Sequence, residues 1–382
     1  MRIQSPRTRA LVGFAALGIF WGAFGAALPA LQRRSETSDA ELGLALLFLA
    51  FGALVSMRAT GVLRDRLGPG LTPAAIGAFG LSGLLPGLAG SPAQLSVLLF
   101  VLGAASGAMD VAINADAVHE EEASRRPLLN LAHAFFSGAV VVSSVATGLL
   151  RWAGAEPPVV FALAAAVVLL AAVSVRTGAE AWSARAAEEH PRFLQKVPAW
   201  LLVLGGLGAV AFWIENTWQS WGAVHLERTL DAPPAVSALG PALFAAAMTA
   251  GRIGVHRLAP RGTERTVLVA GSALAGAGSA VATIAPTVPV ALAGMAVAGA
   301  GCAVCAPTIV SIAGRAAAPH ERATVVGSVT TLMYLGFLVG PAAVGGLAEL
   351  ATLRVSLGSV AALAFLLALL FAFVRLPRPR SG

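Results

Sequence analysis

The stretch "GVLRDRLG", Gly61 to Gly68, closes the second of twelve long apolar segments in this chain. A similar stretch, "RIGVHRLA" from Arg252 to Ala259, closes the eighth segment. The alignment sets Asp65-Arg66-Leu67 opposite His256-Arg257-Leu258. A charged motif that recurs at the same point in each half indicates an internal repeat. Many transporters are built from two such repeats, with the substrate site between them near the middle of the membrane.

The apolar segments are long enough to cross a bilayer as helices, which takes about 20 residues each. Of the 382 residues 57% are hydrophobic and 12% are charged, whereas soluble domains carry roughly 25% charged residues. The runs are long and do not alternate, so the sequence predicts an all-α membrane protein with twelve transmembrane helices. The expected spans are 10–32, 40–63, 128–151, 157–175, 198–221, 233–256, 323–348 and 355–374, with hairpins of two spans at 67–109 and 266–314 that turn at 89–94 and 285–289.

A polar segment divides the chain into two halves of six spans. We expect a first six-helix bundle over residues 1–177, a cytoplasmic linker over 178–197 and a pseudo-symmetric second bundle over 198–382. With a cytoplasmic N-terminus, all but five of the 26 lysines and arginines face the cytoplasm, as topology requires. Both termini are therefore predicted to be cytoplasmic, in a cytoplasmic (inner) membrane. The net charge of +7 then needs no nucleic-acid partner.

The motif at Gly61 to Gly68 resembles the G-x-L-x-D-R-x-G loop between the second and third spans of the major facilitator superfamily. The number of spans, the loop position and the central linker match that family along the whole chain. The resemblance implies a conformational latch made by Gly61, Asp65, Arg66 and Gly68. The alternative is a short turn with solvated charges. A second stretch, "GFLVGPAAVGG" from Gly336 to Gly346, indicates close helix packing around a proline.

Polar residues at membrane depth are the candidates for function, because a charge at the bilayer centre costs about 3 kcal/mol or more. Asp110 lies in the fourth span and Asn114 follows one turn later on the same face. Asn130 and His133 occupy one face of the fifth span. If consecutive spans pack together, these four side chains converge at one level. A carboxylic acid removed from water exchanges protons closer to neutral pH, which favours proton coupling over a purely structural hydrogen bond.

The stretches "GAMDVAIN" (Gly107 to Asn114) and "LLNLAHAFFSGA" (Leu128 to Ala139) are similar to the fourth and fifth spans of the fucose permease-like proton symporters. The resemblance implies that Asp110 is the protonatable acid and that Asn114 and Asn130 match polar positions of the family. His133 replaces a glutamine. In the first span the family's sugar transporters carry asparagine and aspartate, whereas this chain offers Trp21 and small or aromatic neighbours, so a monosaccharide is not indicated.

In the second half, "FWIENTWQSWGAVHLER" (Phe212 to Arg228) carries the most polar groups. A seventh span that starts near Pro198 places Glu215 in the outer third of the membrane, some 10 to 15 Å from the level of Asp110. Glu215 is expected to serve proton coupling or substrate binding, or to form a salt bridge. The proposed substrate-binding residues are Trp21, Phe24, Asn114, Asn130, Glu215, Asn216, Trp218 and Tyr334, and the proposed proton-coupling residues are Asp110, His133 and Glu215.

The sequence therefore predicts a secondary active transporter that moves a small organic solute by alternating access, coupled to protons. Alternatives are a proton antiporter that exports an amphipathic compound, or a non-transporting receptor on the same fold. No nucleophile–base pair, metal-ligand set or phosphate loop indicates an enzyme, and we expect no cofactor or metal. Cys302 and Cys305 lie among small residues, which favours packing over a redox pair. The expected partners are substrate, protons and lipid, and the expected state is a monomer.

Overall fold

A computed structural model shows an all-helical chain and describes residues 6–175, 198–258, 264–318 and 321–377, apart from the side chains at 6, 65–67, 69, 256–258 and 323. No strand occurs in these ranges. The predicted linker lies outside the described residues. The helices are α1 Pro6–Arg34, α2 Asp39–Leu67, α3 Leu71–Ser82, α4 Pro92–Ser124, α5 Leu129–Trp152, α6 Pro157–Ser174, α7 Ala199–Leu230, α8 Pro234–Ser237, α9 Leu239–Leu258, α10 Glu264–Ile284, α11 Val288–Cys302, α12 Cys305–Ala316, α13 Arg322–Leu350 and α14 Leu353–Phe373.

These helices provide 12 segments long and apolar enough to span a membrane, which confirms the predicted fold class. The eighth span consists of α8 and α9, and the tenth consists of α11 and α12. Both predicted hairpin turns are present, between α3 and α4 and between α10 and α11. The seventh span extends to Leu230 rather than Trp221, and the fourth extends to Ser124. In the two longer helices Asp110 and Glu215 lie near the middle of the helix.

Local sequence explains where several helices begin and end. Ser38 and Glu41 form a reciprocal capping box at the start of α2, which satisfies two backbone N–H groups. At the start of α4 the Ser91 hydroxyl accepts from the Gln94 N–H, ahead of Pro92 at the first turn, where a missing N–H costs nothing. Gly68 ends α2 with φ +62°, a backbone conformation that favours glycine.

The chain divides into two compact units. Unit 1 comprises Met1–Glu188 with Pro233–Ala242, and unit 2 comprises Glu189–Ala232 with Leu243–Gly382. The start of the eighth span thus groups with the first unit, where Ser144 donates a hydrogen bond of 2.8 Å to the Ala238 carbonyl. The predicted boundary between the bundles falls on residues outside the described ranges.

In unit 1, glycines decide which helices pack together. α1 packs chiefly on α5, and α2 packs chiefly on α4. A Cβ at Gly18 or Gly22 of α1 would overlap backbone of α5, and a Cβ at Gly103 of α4 would overlap the Leu49 carbonyl of α2. Backbones approach this closely only where a side chain is missing. The expectation that α4 and α5, consecutive in sequence, pack against each other is wrong, because α4 packs chiefly on α2 and α5 packs chiefly on α1.

Unit 2 repeats this arrangement. α7 packs chiefly on α13, and α10 packs on α14 as α3 packs on α6 in unit 1. Gly299 of α11 lies against the Phe244 carbonyl of α9, which is the counterpart of the contact between Gly103 and Leu49. Gly336 and Gly340 of α13 lie against α7, so the close packing predicted for "GFLVGPAAVGG" is confirmed. The internal repeat is therefore visible in the glycine contacts as well as in the charged motif.

Candidate functional site

Asp110 and Asn114 form the predicted polar pair on α4. The Asn114 amide donates to the Asp110 carboxylate at 3.1 Å and to the Asp110 backbone carbonyl at 2.9 Å. Both residues are partly buried. Asp110 lies 18 residues after Pro92 and 14 before Ser124, near the middle of its helix. The helix continues past the boundary expected at His119, and the inner-third position of Asp110 stays a prediction.

The fifth-span residues do not join this pair. Asn130 is the second residue of α5 and His133 the fifth, so both lie within about 6 Å of its N-terminal end. Asp110 is about 21 Å along α4 from Ser124. The His133 ring meets Phe14 of α1 edge-on, with centroids 4.9 Å apart. The predicted convergence of Asp110, Asn114, Asn130 and His133 at one level is wrong, although Asn130 and His133 are both exposed.

Aromatic rings surround the predicted substrate residues of the first span. Trp21 and Phe24 meet edge-on at 5.3 Å, and Phe20 packs between Phe79 and Phe161. Phe24 is only 4% exposed, so its packing supports a core role instead of substrate contact. Trp21 is half-buried and stays a candidate.

A buried charged cluster in unit 1 escaped the sequence reasoning. The Arg64 guanidinium pairs with the Asp116 carboxylate, and both side chains are 4% exposed. Arg64 also donates to the Gly68 carbonyl at 2.6 Å, and Thr72 donates to Asp116 at 2.7 Å. Buried Arg9 acts electrostatically on the same carboxylate. The sequence contains a signal for this cluster. Asp116 lies in the same apolar stretch as Asp110, and Arg64 lies inside the motif "GVLRDRLG".

The proposed latch is described only in part. Gly61 lies within α2 with open space where a Cβ would stand, so close packing does not require glycine there. Gly68 is required by its positive φ. The side chains of Asp65 and Arg66 lie outside the described residues. Their neighbour Arg64 pairs with Asp116 and so links the end of α2 to α4.

Glu215 lies at the middle of α7, 16 residues after Ala199 and 15 before Leu230. The helix extends nine residues beyond the end expected at Trp221, and the outer-third placement of Glu215 stays a prediction. The carboxylate is buried and accepts a hydrogen bond of 3.1 Å from Gln219. Arg252 of α9 interacts with it electrostatically. The salt-bridge alternative thus has a named partner within unit 2.

Asn216 has a structural partner that the sequence reasoning did not predict. Pro341 lies inside α13 and has no N–H to offer the carbonyl four residues earlier. That carbonyl belongs to Phe337, and the Asn216 amide donates to it at 3.2 Å. Ser220 in turn donates to the Asn216 side-chain oxygen. These bonds support a packing role for Asn216 instead of substrate binding.

Trp218 and Tyr334 occupy different environments in unit 2. Trp218 is fully buried, and its indole N–H donates to Ser279 at 2.8 Å, so its packing does not support a substrate contact. Tyr334 is half-buried beside Phe212 and Phe337. Tyr334 therefore stays a candidate while Trp218 becomes part of the core.

The tenth span is interrupted where Cys302 and Cys305 lie. α11 ends at Cys302 and α12 begins at Cys305. Pro307 removes the N–H that would bond the Ala303 carbonyl, and Arg252 donates its Nε–H to that carbonyl at 3.4 Å. Both cysteines are free and buried, and Glu215 acts on each electrostatically. Glu215, Arg252 and the interruption are therefore close together in unit 2.

Twelve spans in two repeated units, with carboxylates at mid-helix, define a polytopic membrane protein of the transporter class. The family model for the Major Facilitator Superfamily matches residues 10–287 and 261–382, and the chain belongs to this family. An uncharacterized MFS-type transporter of Yersinia pestis is 33% identical over 363 residues, covering 94% of this chain and 93% of that protein. The membrane protein MosC of Rhizobium meliloti is 27% identical, covering 96% of this chain and 88% of its own length.

Solved structures share the fold at low identity. The nucleoside transporter NupG, as its D323A mutant, superposes with a TM-score of 0.80 at 11% identity, covering 96% of this chain and 99% of that one. A D-xylose–proton symporter superposes with a TM-score of 0.75 at 13% identity, covering 98% and 99%. Identities this low establish the architecture and leave the solute open.

Proposed function

We propose that this protein is a proton-coupled symporter that moves a small organic solute across the cytoplasmic membrane by alternating access. It would act as a monomer with both termini in the cytoplasm. The observation that carries the proposal is Asp110, a carboxylate near the middle of a membrane-spanning helix whose hydrogen-bond partner, Asn114, is neutral. Intramembrane acids are costly to bury and commonly mark proton relays.

No contact joins Asp110 to His133 among the described residues, so the proton role rests on Asp110, with Glu215 of unit 2 as a second candidate acid. His133 is better suited to proton entry at the inner end of α5, where it is exposed. The remaining candidates for solute contact are Trp21, Asn114, Asn130, Glu215 and Tyr334. For coupling, solute and proton must together stabilise the inward-open and outward-open states differently.

The test uses proteoliposomes that contain the pH-sensitive dye pyranine. Sugars, nucleosides, organic acids and amines are added outside, and proton entry driven by each compound is recorded. For any compound that moves protons in the wild type, Asp110→Asn should reduce that proton movement by about tenfold, because the coupling free energy is lost. Exchange of labelled and unlabelled solute, which needs no net proton transfer, should persist.

Asp231→Asn is the matched control. Asp231 is the C-cap residue of α7, after the last helical residue, Leu230, and its φ of +53° is a conformation that asparagine tolerates. It should behave as the wild type. Unchanged proton movement in Asp110→Asn would remove Asp110 from the mechanism. Solute entry in the wild type without any proton movement would exclude symport altogether.

A further inference from the structure

Arg252 is a charged group inside a membrane span that the proposed proton site does not use. It lies on α9, six residues before Leu258. A helical side chain leans toward the N-terminus of its helix, which for Arg252 is away from the nearer helix end. The guanidinium accordingly reaches the Ala303 carbonyl, which precedes Ala316 by 13 residues, about 20 Å of helix. Arg252 therefore points into the span and does not extend to the nearer membrane surface.

Its bonding leaves most of the guanidinium free. One of its five N–H donors, the Nε–H, bonds the Ala303 carbonyl, for which Pro307 has no backbone N–H. Among the residues that the structure describes, no acceptor contacts the two terminal nitrogens, and the residue is exposed. An exposed guanidinium at this depth requires water or a polar partner beside it, because hydrocarbon does not solvate a cation. The two terminal N–H groups form an edge that can bind a planar pair of oxygens.

The surroundings limit the charge of whatever binds. Glu215 is the acid whose field acts on Arg252, but it is 8% exposed and already accepts a hydrogen bond from Gln219. It balances part of the positive charge without occupying the free edge. One guanidinium beside one carboxylate accommodates a monoanion better than a phosphate dianion, which needs further cationic groups. Interruptions of a span at mid-membrane are typical of substrate sites in transporters.

We propose that Arg252 binds the carboxylate of the transported solute, with the interrupted tenth span holding the guanidinium in place. The solute is thus a small organic monoanion. This inference deepens the proposed transport function, on which it rests for the fate of the bound anion. The binding site itself is formed entirely by unit 2.

Binding is measured on the purified full chain in detergent, without transport. Thermal unfolding is followed with lactate, benzoate or succinate and with the matched amides lactamide, benzamide and succinamide, at constant ionic strength. At least one monocarboxylate should raise Tm by about 2 °C over its amide, as expected for a ligand that binds only the folded state. Succinate, a dianion, should do so less than the monocarboxylates.

Arg252→Gln should abolish the difference between acid and amide, and Arg252→Lys should keep part of it, because lysine keeps the charge and loses the two-pronged geometry. Arg315→Gln removes an exposed arginine of the same unit and should leave the difference intact. In the wild type, phenylglyoxal should modify Arg252, as read by peptide mass spectrometry, and the effective acid should slow this modification. The last measurement needs no variant to fold.

The inference is overturned if no acid exceeds its amide in the wild type, or if the difference survives in Arg252→Gln. If acids bind and protect Arg252 while proteoliposomes move no solute, the proposed transport fails and the binding site stands. If proteoliposomes transport a neutral solute that Arg252→Gln still carries, transport stands and this site does not.

Discussion

The fourth and tenth spans occupy the same place in the two units and use it differently. Each contributes a glycine, Gly103 or Gly299, that lies against a carbonyl of the preceding even-numbered span. Eight residues later the fourth span has Val111 and continues as one helix, whereas the tenth has Pro307 and is interrupted. The fourth span carries its own charge at Asp110. The tenth span has no charged residue at that position, and Arg252 of α9 donates a hydrogen bond to its Ala303 carbonyl.

This difference shows that the repeat has kept its packing contacts and changed its chemistry. Glycine contacts fix where helix backbones meet, so both spans must retain them for the units to fold. The residues two turns further along have no such constraint. At this position the fourth span carries a carboxylate, and the tenth span has a cation from α9 beside it.

The largest loss of stability is expected when an ion pair further along each of these two spans is broken. Asp116 of the fourth span is buried with Arg64, whereas the aligned residue of the tenth is apolar Ile312 and its nearby Arg315 pairs with Glu264 in an exposed position. Asp116→Ala should lower the free energy of unfolding by about 3–5 kcal/mol, because removing one partner leaves a buried charge uncompensated. Glu264→Ala should cost at most about 1 kcal/mol. Unfolding in SDS of both variants measures the difference, and equal losses would mean that the Asp116 cluster is not a stabilising ion pair.

A smaller effect should follow from exchanging the prolines. Val111→Pro would free the Gly107 carbonyl in the fourth span with no arginine to fill it, and should destabilise unit 1 by about 3 kcal/mol. Pro307→Ala should restore the backbone bond to Ala303, raise Tm and release Arg252. The acid-dependent rise in Tm should then weaken, because the guanidinium loses its anchor. If Pro307→Ala binds acids as the wild type does, the interruption has no part in holding Arg252.

The smallest effect concerns the Phe337 carbonyl, which Pro341 leaves without a backbone donor. Asn216→Leu leaves the Phe337 carbonyl without its donor and should cost about 1–2 kcal/mol. In a Pro341→Ala background the backbone supplies an N–H, so the same substitution should cost much less. A double-mutant cycle on Tm measures this coupling. Additive losses would show that Asn216 stabilises α13 by another route.

The sequence predicted the number of spans, both hairpin turns and the repeat, because apolar length and turn residues report them locally. It also found Asp110, Asn114 and Glu215, since charge inside an apolar run is visible without a structure. The ends of α4 and α7 were not predicted, since both helices extend beyond the hydrophobic run. The partner of His133 was predicted wrongly, because helices that follow each other in the chain were expected to be in contact, whereas α5 packs chiefly on α1. Arg252 was counted only as a cytoplasmic charge, because its direction depends on a proline more than fifty residues away.

The Phe337 and Ala303 carbonyls, which prolines leave without a backbone donor, also bear on the order in which the helices are synthesised. In each case the donor precedes the acceptor along the chain, Asn216 before Phe337 and Arg252 before Ala303. A carbonyl without a partner is costly in lipid, and domains form from the N-terminus during synthesis. The helix that carries each donor has therefore entered the membrane before the proline-containing span leaves the ribosome. A circular permutant that reverses this order would have to insert the unsatisfied backbone first.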